Sequence, residues 1–145
     1  MYKRLFFLTV YAVAMGFVEA AVVIYLRQLY YPAGFCFPLS SPVLQSLQIE
    51  YIREIATIVM LGSVAVLAGG DRTEKAAFFL FSFGLWDLFY YLWLKLLLDW
   101  PSSFFTWDIL FLIPIVWVAP VLAPMICAVT MTAIVEPTAV LSMRR

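Results

Sequence analysis

The stretch Leu5–Leu26, LFFLTVYAVAMGFVEAAVVIYL, carries a single charge, at Glu19. A bilayer's hydrocarbon core of about 30 Å takes roughly 20 apolar residues of helix to cross. This run meets that length and is expected to be a membrane span of about residues 5–28. Lys3 and Arg4 ahead of it, with Ala12-Val13-Ala14 inside it, imitate a secretory signal and its cleavage site. The apolar run continues well past Ala14, so it reads as a retained first helix.

Working outward, the same pattern recurs three times. Tyr30-Tyr31-Pro32-Ala33-Gly34 and the stretch Phe37 to Pro42 read as an outer loop over about 30–46, because Pro and Gly punctuate it. Further spans are expected at about 47–68, 75–98 and 108–135. Gly69-Gly70-Asp71-Arg72 and Trp100-Pro101-Ser102-Ser103 form the turns between them. The expected fold is all-α: one polytopic membrane domain over 1–145, with four transmembrane helices in a compact bundle. A re-entrant segment over Asp108 to Val118, followed by a shorter helix, is the alternative for the last span.

Composition agrees. The chain is 66% hydrophobic and 12% charged, with a mean hydropathy of +1.00. An ordinary soluble domain holds about 25% charged residues, and a chain this short needs still more polar surface if water surrounds it. Lipid is therefore the expected solvent and the cell membrane the expected location. Nine basic and nine acidic residues cancel, which leaves no basic surface for nucleic acid. The chain has no histidine, which removes the commonest general base and the commonest transition-metal ligand. Cys36 falls in the outer loop and Cys127 deep in the fourth span, too far apart to pair within one chain.

Lys3, Arg4, Arg72, Lys75, Arg144 and Arg145 fall on one side of a four-span arrangement. By the positive-inside rule both termini are cytoplasmic. Trp100, Trp107, Tyr30 and Tyr31 sit at the opposite boundary, as an aromatic belt would. Small residues at fourth-residue spacing make grooves for neighbouring helices: Ala12, Gly16 and Ala20; Ala65 and Gly69; Ala119, Ala123 and Cys127. Pro114, Pro120 and Pro124 are expected to kink the fourth helix and free carbonyls.

The chemistry lies in the charges. An ionisable residue inside a span costs roughly 2.5–3.5 kcal/mol on insertion scales, so it faces the bundle interior and pairs, or it serves a pathway. Glu19 lies 15 residues past Arg4, and Asp87 lies 12 past Lys75. At about 1.5 Å per residue both reach the outer side of the bilayer middle. Glu50, Arg53 and Glu54 enter that half from the second span, on the face that carries Thr57, and Asp108 enters from the fourth. Arg27 and Lys95 follow Glu19 and Asp87 by eight positions, near the same helix face. Tyr90 and Tyr91 stand beside Asp87 as hydroxyl donors. Six outer carboxylates (these five and Asp99) face three bases, so at least one is expected to lack a basic partner. Such a group holds a proton or binds a cation.

Three functions fit. The first is a cation or proton site coupled to transport, with Glu19, Glu54 and Asp87 exchanging and Arg53 tuning them. The second is an accessory or assembly subunit of a larger membrane complex, with the charges fixing helix register. The third is an enzyme acting on a lipid-borne substrate, with Glu50 and Glu54 holding a hard divalent cation. No nucleophile elbow, zinc-protease motif or phosphate loop supports the third. So small a chain with a charged seam points to closure by a second copy, as a homodimer, or by other subunits.

Overall fold

The computed structural model describes residues 2–31, 33 and 41–142, and side chains over 2–31, 33 and 47–135. Residues 34–40 of the expected loop, Cys36, Arg144 and Arg145 lie outside the described residues. Within them the fold is mostly helical: α1 (Tyr2–Tyr30), α2 (Ser41–Ala68), α3 (Arg72–Leu98), a hairpin of β1 (Trp107–Phe111) and β2 (Trp117–Pro120), and α4 (Leu122–Ser142). Tyr2–Tyr30, Leu47–Ala68 and Arg72–Leu98 are long and apolar enough to cross a membrane, while Leu122–Val135 is a shorter apolar helix.

Two expectations need correction. The outer loop is expected through residue 46, but α2 begins at Ser41; Pro42 fits its first turn, where an amide has no intrahelical acceptor. The larger correction concerns residues 107–120, expected as the outer half of a continuous helix over 108–135. They form an antiparallel hairpin that pairs Asp108 with Ala119 and Ile109 with Val118. β-Branched and aromatic residues dominate the two strands, which suits a pleated backbone better than a helix. Pro114 lies between the strands, Pro120 ends β2, and Pro124 sits in the first turn of α4. None of the three kinks a helix interior.

α3 is the hub, packing against α1, α4 and α2. Its start is fixed by Asp71, whose carboxylate accepts from the Glu74 amide at 2.8 Å, while Glu74 accepts from the Gly70 amide at 2.7 Å. This reciprocal arrangement is close to a capping box. Arg4 reaches Glu74 at 3.4 Å, so the start of α1 and the α2–α3 turn share one end of the bundle. Buried layers climb from there: Leu8, Ala65 and Phe78, then Ala12, Met15, Leu61 and Trp86, then Ala20, Tyr91, Leu94 and Val121. Asp99 ends α3 in the left-handed region at φ 52°. The Lys95 ammonium, 2.6 Å from its carboxylate, holds that group below its ordinary range.

Small residues set the helix spacing. Ala12, Gly16 and Ala20 are all buried, and a Cβ on Gly16 would stand 3.0 Å from the Trp86 carbonyl oxygen of α3. The expected row Ala119–Ala123–Cys127 does not pack this way: Ala119 belongs to β2, and Ala123 and Cys127 are exposed. The packed face of α4 carries Pro124, Ala128 and Val135 instead. Opposite it stands Gly84, where an added Cβ would lie 2.6 Å from the Ala128 carbonyl oxygen. A backbone atom cannot swing aside, so Gly84→Ala should push α3 and α4 apart and cost about 1–3 kcal/mol. Gly62, whose Cβ would meet nothing, supplies the control. Gly62→Ala should be neutral or slightly stabilising through helix propensity. Unfolding midpoints in detergent check the pair, and equal midpoints would refute the close-packing argument.

Candidate functional site

At the end of the bundle away from Arg4, α1, α2, α3 and the hairpin enclose a cavity of about 180 Å³. Its polar lining includes Glu19, Arg27, Glu50, Arg53, Glu54, Asp87 and Asp108, with Thr57, Tyr90 and Tyr91. Nine of the ten residues singled out in the sequence therefore converge. The tenth, Lys95, does not: it is half-exposed, paired with Asp99, and donates to the Pro101 carbonyl at 3.2 Å.

α2 supplies the organising cation. Arg53 donates Nε to Glu50 at 2.8 Å, one helical turn before it, and Nη1 across to Glu19 on α1. The fork of the guanidinium suits this, since it can serve two carboxylates at once. Thr57, one turn on, donates to the other Glu19 oxygen at 2.5 Å. Glu19 is 6% exposed and Thr57 1%, so the inner end of the knot is buried, while the Arg53 and Glu50 side chains keep partial exposure.

A second knot joins α1, α3 and β1. Arg27 reaches Asp108 at 3.4 Å, and Tyr91 donates to its other oxygen at 3.1 Å. The Arg27 guanidinium lies over the Trp100 ring, 3.7 Å from its centroid. The eight-residue spacing of Glu19 and Arg27 along α1 does not become a pair; each reaches to another element.

Glu54 has a different task. Its two oxygens accept from the Leu112 amide at 3.0 Å each and from the Ile113 amide at 3.1 Å. These amides follow β1, where the chain leaves the hairpin ladder, so they need an acceptor from elsewhere. Nothing in the residue pattern points to this contact, because a helix over 108–135 would satisfy those amides internally.

The charges can now be matched. Five carboxylates line the cavity against two guanidiniums. Arg53 serves two of the acids, Glu54 is held by backbone dipoles, and Asp108 has Arg27. Asp87 remains, with no hydrogen bond or ion pair to any described residue and with the Asp108 carboxylate among its electrostatic neighbours. The Tyr90 hydroxyl also lacks a hydrogen-bond partner among them. Trp86 completes that wall, 8% exposed, with its indole N–H unpartnered. Among the described residues no three Asp, Glu or Cys side chains are grouped to hold a metal ion. Glu50 and Glu54, weighed as joint ligands, instead face different partners.

Compared with known proteins, the chain matches no family model, no curated protein and no solved structure.

Proposed function

We propose that this is a multi-pass membrane protein, with cytoplasmic termini, whose cavity binds a proton or a cation at Asp87 as part of transport. The observation that carries the reading is the isolation of Asp87: every neighbouring carboxylate has a fixed donor, and this one has none among the described residues. Asp87 is half-buried against the cavity, and a carboxylate held there without a donor is balanced by a proton or by a cation. A group that can alternate between those two states is what coupled transport needs. The other charges then serve as scaffold, holding three helices and the hairpin around it.

Membrane insertion is supported by the inverted polarity of the molecule. Phe6, Phe7, Ile52, Val59, Leu67, Leu96 and Ile126 are exposed on the helices, while charges gather inside. Lipid is the solvent that favours this arrangement. Lys3, Arg4, Arg72 and Lys75 gather at the end opposite the cavity, which supports placing that end in the cytoplasm. The hairpin with α4 would make the fourth crossing, its irregular backbone tolerated because Glu54 and the bundle cover it.

Difference infrared spectra between acid and alkaline buffer should contain a protonated-carboxyl band that Asp87→Asn removes. In reconstituted vesicles the same substitution should abolish cation-driven proton movement. A band that survives the substitution, together with unchanged flux, would sink the reading.

A further inference from the structure

Asp87 shares the cavity lining with aromatic rings. Trp86 and Tyr90, one turn apart on α3, have ring centroids 6.5 Å apart and planes 29° apart. From β1, Phe111 meets Trp86 at 6.4 Å and 70°, and stacks on Phe83 at 5.8 Å. All three of Trp86, Tyr90 and Phe111 line the cavity beside Asp87. An aromatic face carries negative potential and draws a cation lying within about 6 Å of its centroid. The protein already uses this contact where Arg27 covers Trp100.

Hard metal ions suit such a wall badly. Calcium takes about 6–8 oxygen ligands and magnesium a near-ideal octahedron, while the oxygens around Asp87 are already held by Arg53, Arg27, Tyr91 and the hairpin amides. An alkylammonium needs much less. One carboxylate balances its charge, and its apolar body is covered by ring faces. Resting on the reading of Asp87 as the exchanging group, we infer that the cation is a small organic ammonium, held by Asp87 and walled by Trp86, Tyr90 and Phe111. The cavity of about 180 Å³ corresponds to roughly six water molecules, room for a compact amine. Entry of the ammonium displaces one proton from Asp87, and the charge of the cavity is unchanged.

The test titrates the purified protein, in lightly buffered detergent, with ethylammonium, tetramethylammonium, sodium and calcium chlorides at matched ionic strength, following proton release. The ammonium salts should release protons and saturate, whereas sodium and calcium should not. Trp86→Leu and Phe111→Leu should each weaken ammonium binding by about tenfold, the loss of one desolvated ring contact. Trp86→Phe, which keeps an aromatic face, should lose less. Thermal unfolding of each variant shows whether the wall was altered without losing the fold. Release by sodium or calcium but not by the ammonium salts would overturn the inference and leave Asp87 as a cation site. Release by none of the salts would overturn the inference, and a protonated-carboxyl band that survives Asp87→Asn would overturn the reading of Asp87 with it. Equal ammonium affinity in folded wild-type, Trp86→Leu and Phe111→Leu proteins would overturn the aromatic wall.

Discussion

Arg53→Met should cost about 3–5 kcal/mol of stability, the loss expected when one partner of a buried ion pair is removed and its counter-charge stays behind. Arg53 is the only described side chain that donates to both Glu19 and Glu50. Its removal leaves the Glu19 side chain, 8% exposed, with Thr57 as its remaining donor, and the Glu50 side chain, 15% exposed, with none among the described residues. Packing does not compensate, because methionine fills the space of the stem but supplies no charge. Arg53→Lys should fall between, since one ammonium cannot reproduce the fork that reaches two helices. The double variant Glu19→Gln with Arg53→Met should recover much of the loss, because an amide still accepts from Thr57 without a stranded charge. Denaturant midpoints in detergent decide the matter. A cost below about 1 kcal/mol for Arg53→Met would mean that the pair behaves like an exposed one and that the knot is not what ties α1 to α2.

The three long helices were legible because a span is a matter of length and solvent. Twenty or so apolar residues bounded by Arg4, by Gly69-Gly70 or by Asp99 have few other ways to bury their backbone. Depth was legible for the same reason: fixed rise per residue brought Glu19 and Asp87 to one level, and helical spacing put Arg53 and Thr57 on one face. The choice of partner was not. Whether Arg27 meets Glu19 or Asp108 depends on how helices rotate about their axes and on what lies between them. Hydropathy does not distinguish Trp107–Pro120 as strands from the same residues as one helix, so it leaves both the continuous span and the re-entrant segment with a shorter following helix open. The distinguishing signal was present in Ile109, Ile113, Ile115, Val116 and Val118, together with Pro114 and Pro120. It was outweighed by apolar length. Missing the hairpin also hid the role of Glu54, since its donors are amides that only a broken helix exposes.

That role carries the second large effect. Glu54→Ala should release the hairpin from α2, because it removes the acceptor of two backbone amides at once. Hydrogen bonds to a charged group contribute about 1.5–3 kcal/mol each, and Leu112 and Ile113 have no other acceptor among the described residues. Hydrogen exchange at those two amides should accelerate by about a hundredfold or more, a local opening and not a global one. Glu54→Gln, with one carbonyl oxygen in place of two carboxylate oxygens, should keep part of the protection. Asp108 offers an internal comparison, because Arg27 and Tyr91 hold β1 from the other side of the cavity. If protection at Ile109 persists while that at Leu112 collapses, the hairpin has two separate fastenings. If both collapse together, Glu54 holds the whole wall that Phe111 presents to Asp87, and the substitution should then weaken occupancy of the cavity without touching the group that binds. Unchanged exchange at Leu112 and Ile113 would show that the contact contributes nothing, and would return Glu54 to the set of carboxylates able to take up a proton or a cation.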